Sequence, residues 1–207
     1  MKRILCFGDS NTWGYIPSSE TERYDDTIRY PKVLQNLLGN AYEVIEEGLP
    51  GRTVGVDNIK ELIGNRNGIL SFAQTVYTHL PLDYILILLG TNDMKLSYHR
   101  TPKECADDLR KYYLEPIKAK LGGKIKNNPQ IIIVAPALIV GGYDEFLDAE
   151  IRTSFFNEEY RKVAEEYDAL FIDNEGLING SDHIHFTKET HLYLASKIAK
   201  TILKENK

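Results

Sequence analysis

Short apolar segments alternate with longer amphipathic segments along the chain, and this alternation limits the fold more than any other feature of the sequence. Near-continuous apolarity over a few residues is typical of strands that are buried on both faces, as in a parallel sheet. The apolar segments are Ile4–Phe7, Tyr42–Ile45, Tyr84–Leu89, Ile131–Ala135 and Leu170–Ile172. We therefore predict a parallel sheet of five strands.

The segments between the predicted strands carry apolar residues at helical spacing. The predicted helices are Pro31–Leu38, Ile69–Leu80, Thr101–Leu121, Ser154–Tyr167 and Thr190–Leu203. Thr101 is followed by Pro102 and Glu104, which is a capping-box pattern at a helix start. Alternating strands and helices predict an α/β protein with a three-layer α/β/α, flavodoxin-like doubly wound sheet. Because no repeat or low-complexity linker interrupts it, we predict that residues 1–207 form a single domain.

Residue composition argues against several kinds of partner. The formal net charge of -5 disfavours general affinity for nucleic acid, which requires a basic surface. No apolar run approaches the roughly 18 residues that would span a membrane, and no signal peptide is evident. Cys6 and Cys105 are too few for a disulfide framework. We therefore predict a reduced, cytoplasmic protein that binds neither nucleic acid nor membranes.

Polar residues and glycines follow the predicted strands at the points where each strand ends. Ser10 comes just after the first strand, Gly51 follows the second, and Asn92 follows the third. Asp182 and His185 come some way after the fifth. Ligands of doubly wound folds bind beyond the carboxyl ends of the strands, so we expect these residues to gather at one edge of the sheet.

The gathered residues have the chemistry of acyl transfer. A serine hydroxyl is a weak nucleophile that needs an adjacent base, and an imidazole can take its proton near neutral pH. A carboxylate on the other ring nitrogen orients the imidazole, and Asp182 and His185 are three residues apart, so both can point the same way. The backbone N–H groups of Ser10 and Gly51 and the side-chain amide of Asn92 can stabilise the oxyanion. These residues predict a serine esterase with Ser10 as nucleophile, His185 as base and Asp182 as its orienting acid.

At these positions the sequence resembles the SGNH hydrolases, also called GDSL esterases/lipases. Its marker residues match Ser10, Gly51, Asn92 and His185, in family order. Longer matches around these residues are most similar to the arylesterase/acyltransferase branch. The resemblance implies hydrolysis of small esters, or transfer of their acyl group, through an acyl-serine, with water or an alcohol as the acceptor. It implies no metal and no organic cofactor, and the branch is consistent with a homo-oligomer.

Two residues depart from the family pattern. Asn11 stands where the family usually has leucine after the serine, which changes the packing beside the nucleophile. His183 adds a second histidine to the last block. We predict His185 as the base, because Asp182 and His183 are adjacent in the chain and their side chains tend to diverge.

Two other functions remain open at this point. A metal-dependent phosphoesterase would use a cluster of carboxylates and imidazoles, which are common metal ligands: Asp9, Asp93, Asp182, His183 and His185. A flavin-binding module could use the same fold, although the chain has neither a G-x-x-x-x-G-K-[ST] nor a G-x-G-x-x-G phosphate loop.

We predict structural rather than catalytic roles for other polar residues near the strand ends. We expect Asp9 to accept a backbone hydrogen bond in the Ser10 turn and Asp93 to brace the loop that carries Asn92. Arg29 is expected at the surface. His79 has no acidic partner at a suggestive spacing in the sequence, so we expect it to be solvated or to cap a helix.

Overall fold

The computed structural model describes residues 1–58, 64–126 and 128–205. Within these ranges, five strands form one sheet in which every neighbouring pair is parallel. The strands are β1 (Lys2–Gly8), β2 (Tyr42–Gly48), β3 (Tyr84–Leu88), β4 (Gln130–Val134) and β5 (Leu170–Ile172). Their order across the sheet, β2-β1-β3-β4-β5, is the flavodoxin-like order. The predicted fold class is confirmed.

Helices connect the strands and cover the sheet. They are α1 (Ser10–Trp13), α2 (Tyr30–Leu38), α3 (Gly68–Thr78), α4 (Pro102–Asp108), α5 (Glu115–Lys118), α6 (Lys120–Gly123), α7 (Ala149–Thr153), α8 (Phe156–Glu166) and α9 (Lys188–Glu205). Short 3₁₀ turns lie at Gly39–Ala41, Asn92–Met94, Leu96–Tyr98 and Asp144–Phe146. The capping box predicted at the start of α4 is confirmed, because the Thr101 and Glu104 side chains each accept a hydrogen bond from the other residue's backbone N–H.

The predicted helix Thr101–Leu121 is not continuous. A π-helical segment, Leu109–Leu114, joins α4 to α5. At its end the N–H of Glu115 donates to the carbonyl of Arg110, one residue further back than in an α-helix. Pro116 follows at once; it has no N–H to donate, and its ring clashes with a regular helical ladder. Beyond α5, Leu121 has a left-handed φ of 44°. The helical spacing of apolar residues in the sequence does not reveal this π-helical turn, which accommodates the proline.

The side chains of β1 show how the sheet becomes the middle layer. Leu5 and Phe7 belong to the apolar core on one face, while Ile4 and Cys6 belong to the core on the other face. The first core is completed by Phe72 of α3, Leu109 and Tyr113 of the π-helical segment, and Phe156 and Tyr160 of α8. The second is completed by Tyr30 and Leu34 of α2 and by Leu194 and Ile198 of α9. Because helices cover both faces of the sheet, the edge formed by the carboxyl ends of the strands is the place that remains for a site.

Two further sequence features have structural counterparts. Cys6 and Cys105 are both buried free thiols, and burial raises the pKa of each. Among the described residues, no helix combines the length and apolarity needed to cross a bilayer.

Candidate active site

The turn after β1 presents Ser10 at the start of a single helical turn. Asp9 caps this turn, since its Oδ1 accepts a hydrogen bond from the N–H of Asn11 at 2.9 Å. Gly14 ends the turn at a φ of 91°, and its N–H donates to the carbonyl of Ser10 at 2.8 Å. A Cβ on Gly8 would lie only 2.0 Å from Oγ1 of Thr12, so the tight strand-to-helix turn requires glycine there.

Ser10, His185 and Asp182 form a continuous series of hydrogen bonds. Ser10 Oγ lies 2.9 Å from His185 Nε2, and His185 Nδ1 lies 2.7 Å from Asp182 Oδ2. Asp182 Oδ1 accepts hydrogen bonds from the N–H groups of Ile184 at 3.0 Å and His185 at 2.9 Å. Asp182 Oδ2 also accepts from the N–H of Ser18 at 3.1 Å. The carboxylate is therefore fixed from three directions, and it presents one oxygen to the imidazole.

The hydrogen bonds around Asp182 set its charge. Burial alone would raise the pKa of this carboxyl, but the hydrogen bonds from the His185 side chain and from the backbone N–H groups of His185 and Ile184 outweigh it. The pKa of Asp182 is therefore well below its ordinary value. An ionised carboxylate only accepts hydrogen bonds, so the proton between the two residues lies on Nδ1 and leaves Nε2 free to accept the Ser10 hydroxyl proton.

The turn after β2 and the loop after β3 are tied together beside Ser10. Leu49 N–H donates to the carbonyl of Gly8 at 3.0 Å, and Asn92 Nδ2 donates to the carbonyl of Arg52 at 3.1 Å. One hydrogen of the Asn92 amide remains for another acceptor. In the described part of the chain, neither the N–H of Ser10 nor that of Gly51 has a hydrogen-bond partner. Three hydrogen-bond donors without an acceptor among the described residues thus lie at the carboxyl edge of the sheet.

Gly51 occupies a conformation that disfavours a side chain. Its φ is 80°, and a Cβ would lie 2.2 Å from Nη1 of Arg66. The left-handed backbone angle accounts for glycine at this position, because the guanidinium is the far end of a flexible side chain and could shift.

Arg52 is a buried residue of this turn that the sequence interpretation missed. Its Nη1 donates to the carbonyl of Gly8 at 2.8 Å and to the carbonyl of Glu47. The guanidinium lies 4.0 Å from the ring centre of Phe7. Arg52 therefore links the carboxyl ends of β1 and β2, and burial lowers its pKa. An arginine directly after the Gly51 turn was the available clue.

Asp93 braces the loop that carries Asn92, as expected. Its Oδ2 accepts a hydrogen bond from the N–H of Val54 at 2.8 Å, and its Oδ1 accepts one from Gly55 at 3.4 Å. Burial raises the pKa of Asp93 to about 6, against the opposing effects of these N–H groups and of Arg100. Burial likewise raises the pKa of Asp9 to about 6. Asp93 is held by these backbone contacts, whereas Asp9 caps the turn after β1 and also interacts electrostatically with His185.

The hydrogen bonds of the Asn11 side chain account for its departure from the family pattern. Its Oδ1 accepts a hydrogen bond from the N–H of Phe186 at 2.8 Å, and its Nδ2 donates to the carbonyl of Ile184 at 3.2 Å. The side chain therefore clamps the two backbone groups on either side of His185 to the helical turn that carries Ser10. A leucine could make neither bond.

The second histidine of the last block lies elsewhere. His183 Nδ1 is 2.7 Å from the carbonyl of Val140, and the residue has a φ of 65°. Within the described residues, no three His, Cys, Asp or Glu side chains come close enough to hold a metal ion. The five residues of the phosphoesterase alternative therefore do not assemble as a ligand set.

One expectation about a charged residue is wrong, and a second residue has a partner that the sequence did not indicate. Arg29 is buried rather than at the surface, because Glu46 pairs with its guanidinium at 3.0 Å. His79 is the C-cap residue of α3, one of the two places expected for it, and its Nε2 also lies 2.8 Å from Oε1 of Glu47. In both cases the partner belongs to β2, and the pairing across elements is not visible as a spacing in the sequence.

A serine, a histidine and an aspartate in hydrogen-bonded series at the edge of a doubly wound sheet are typical of serine hydrolases. The family model of the GDSL-like Lipase/Acylhydrolase family matches residues 6–192, and the chain belongs to this family. The native aryl esterase of M. smegmatis is similar to it, with 32% identity, a TM-score of 0.90 and 99% of each chain covered. Est24, a carbohydrate acetylesterase from Sinorhizobium meliloti, has 31% identity and a TM-score of 0.88, again with 99% of each chain covered.

A more distant structure shows the same fold. A member of the lipolytic G-D-S-L family from Veillonella parvula has 18% identity and a TM-score of 0.67, with 97% of each chain covered. A comparison with curated proteins finds no match. The predicted family and enzyme class are confirmed: the protein is a carboxylic ester hydrolase, which uses ester substrates and water.

Proposed function

We propose that Ser10 is the nucleophile of ester hydrolysis and that His185 and Asp182 activate it. Ser10 Oγ attacks the ester carbonyl while His185 Nε2 takes the hydroxyl proton. The tetrahedral intermediate then collapses, and the imidazolium returns this proton to the departing alcohol, which leaves an acyl-serine. In the second half, His185 deprotonates water, the hydroxide attacks the acyl-serine, and the proton returns to Ser10 Oγ as the acid departs.

The observation that carries this proposal is the hydrogen-bonded series from serine to carboxylate. The 2.9 Å contact between Ser10 Oγ and His185 Nε2 is within reach for direct proton transfer. The 2.7 Å contact to Asp182 keeps the imidazole in the tautomer that can accept. The lowered pKa of Asp182 keeps that residue ionised throughout the neutral range.

The oxyanion hole is assigned to the N–H groups of Ser10 and Gly51 and to the side-chain amide of Asn92. Two observations support this assignment. These residues have N–H donors without an acceptor among the described residues, and hydrogen bonds connect their loops to the end of β1. Negative charge appears on the carbonyl oxygen only during attack, so these donors would act mainly on the transition state.

The substrates that we propose are esters with a short acyl group on an aryl or carbohydrate alcohol. Ser10 is only 4% exposed and Asn92 only 7%, which favours a small acyl group. Similar proteins are described as an aryl esterase and a carbohydrate acetylesterase. A panel of aryl esters, alkyl esters and acetylated sugars of increasing acyl length tests this. An added alcohol in the same assay tests acyl transfer, because transfer yields a new ester instead of the free acid.

Ser10→Ala tests the assignment of the nucleophile. We expect kcat to fall by about 10⁴ to 10⁶ without loss of the fold, since no other hydroxyl shares a hydrogen bond with His185 Nε2 in the described residues. Ser196→Ala is the matched control, because the Ser196 hydroxyl donates to the Leu192 carbonyl within α9. Near-normal turnover by a folded Ser10→Ala protein would reject the proposal.

The remaining proposals concern the number of domains, the oligomeric state and the location in the cell. We infer that residues 1–207 act as one domain, because every strand of the described residues belongs to the same sheet. A single cooperative unfolding transition supports this inference, and two separable transitions contradict it. The homo-oligomer and the cytoplasmic location stay predictions, which sedimentation and cell fractionation can test.

A further inference from the structure

Tyr15 lies directly on the face of the His185 imidazole. The two ring centres are 4.4 Å apart and the rings are inclined by 22°, which is a stacked arrangement. The backbone N–H of Tyr15 also donates to the carbonyl of Ser10 at 3.0 Å. One residue therefore contacts both the histidine and the serine of the hydrogen-bonded series.

The ring of Tyr15 is held in place by its surroundings. Its hydroxyl donates to the carbonyl of Glu20 at 2.5 Å and lies 3.2 Å from the carbonyl oxygen of Ser19. The Trp13 ring packs against it with the ring centres 5.9 Å apart. Tyr15 also forms an isolated antiparallel bridge with Arg23. The side chain is thus fixed before a substrate arrives.

The hydrogen bonds of His185 leave one motion of its ring unrestrained. Asp182 holds the Nδ1 edge and Ser10 holds the Nε2 edge, and both contacts lie at the rim of the imidazole. Both contacts lie in the plane of the ring, so neither blocks a tilt of the ring that carries Nε2 out of this plane and away from Ser10 Oγ. A flat side chain against the face of the imidazole does resist it.

We propose that Tyr15 is a positioning residue of the reaction, which keeps Nε2 aligned with Ser10 and stabilises the imidazolium through the face of its ring. This inference rests on the proposed role of His185 as the base. The face of an aromatic ring is negative and attracts a cation above it. The imidazole carries its positive charge only after it has taken the serine proton, so the contact is stronger in the transition state than in the resting enzyme.

Other titratable groups also face His185. Asp182 is on the same loop, Asp9 is at the end of β1, and His191 of α9 is close enough to interact electrostatically. All three remain unchanged when Tyr15 alone is substituted. A difference between Tyr15 variants therefore reports the stacked ring.

A matched pair of variants separates the ring face from the hydroxyl. Tyr15→Phe keeps the ring and removes the hydroxyl with its contacts to the Ser19 and Glu20 carbonyls. Tyr15→Leu removes the ring as well and keeps an apolar side chain over the imidazole. The readouts are kcat, KM, the pH midpoint of the acid limb of kcat/KM, and thermal unfolding.

We expect Tyr15→Phe to keep at least half of the kcat. We expect Tyr15→Leu to lose about 5- to 30-fold in kcat with little change in KM, and its acid-limb midpoint to move to lower pH. Tyr15→Trp, which restores a ring face, should recover most of the loss. Equal losses in the Phe and Leu variants would mean that the hydroxyl anchors the loop and would overturn the inference. A Leu variant with wild-type kcat and midpoint would overturn it too.

His185→Ala separates this inference from the function on which it rests. If His185→Ala keeps wild-type turnover, His185 is not the base, and both proposals fail. If His185→Ala is inactive while Tyr15→Leu is unaffected, only the role of Tyr15 fails.

Discussion

Replacing Asp182 with asparagine exchanges one atom at the orienting position and should change which nitrogen of His185 carries the proton. Asp182 Oδ1 accepts two backbone hydrogen bonds, from Ile184 at 3.0 Å and His185 at 2.9 Å. In Asp182→Asn these two donors require the amide oxygen at the same place. The amide nitrogen is then directed at His185 Nδ1, 2.7 Å away in the native protein.

The expected loss of kcat follows from this exchange of a hydrogen-bond acceptor for a donor. An amide nitrogen only donates, so Nδ1 must accept and the imidazole proton must move to Nε2. An Nε2–H group cannot take the proton of the Ser10 hydroxyl, which removes the general base. Substitutions that impose the wrong tautomer cost about 10⁴ in kcat, which corresponds to about 5 kcal/mol of transition-state stabilisation.

Steady-state hydrolysis of an aryl acetate near pH 7.5 measures this effect. The control is Asp107→Asn, because Asp107 is a half-buried residue of α4 that pairs with Lys103 and Arg110. Thermal unfolding should show both variants folded. If Asp182→Asn retains kcat within tenfold of the native enzyme, the carboxylate does not set the tautomer of His185, and the reasoning is refuted.

Four further substitutions test other parts of the account. Asn92→Ala should lower kcat by about 10² to 10³ with little change in KM, whereas an effect on KM alone would make Asn92 a substrate-positioning residue. His185→Ala should nearly abolish ester hydrolysis, while His183→Ala should keep most of it; the reverse result would contradict the assignment of the base. Burial lowers the pKa of His191 to about 3, so folding stability is lost as the pH falls below the unfolded value of about 6.5. Glutamine can still accept the Tyr30 N–H, so between pH 7 and pH 4.5 urea unfolding of His191→Gln should lose about 3 kcal/mol less than the native protein, and an equal loss would contradict this account.

The sheet and its order could be predicted because they depend on a regular signal. The apolar segment that became β1 is buried on both faces, so its composition alone identifies a central strand. Parallel strands have their carboxyl ends at one edge, and this brings Ser10 and His185 together although 175 residues separate them. The topology therefore predicted their proximity without any knowledge of the loops.

The contacts that refine the site could not be predicted in the same way. Asn11 clamps the loop around His185, and Tyr15 stacks on its ring, but each contact depends on loop conformations that have no periodic signal. Arg29 was expected at the surface because a charged residue in a polar segment usually is exposed. Its burial depends on Glu46, which lies on a different element and faces it only after the strands have paired.

Active-site labelling tests the central claim, covalent catalysis by Ser10, most directly. A tagged organophosphate reacts with an activated serine, and the modified residue can be located by peptide mass spectrometry. The account predicts one adduct, on Ser10, with loss of activity in proportion to labelling. It also predicts no adduct in Ser10→Ala and much slower labelling in His185→Ala. Inactivation accompanied by an adduct on any other residue, or full labelling of the Ser10→Ala protein, would contradict it.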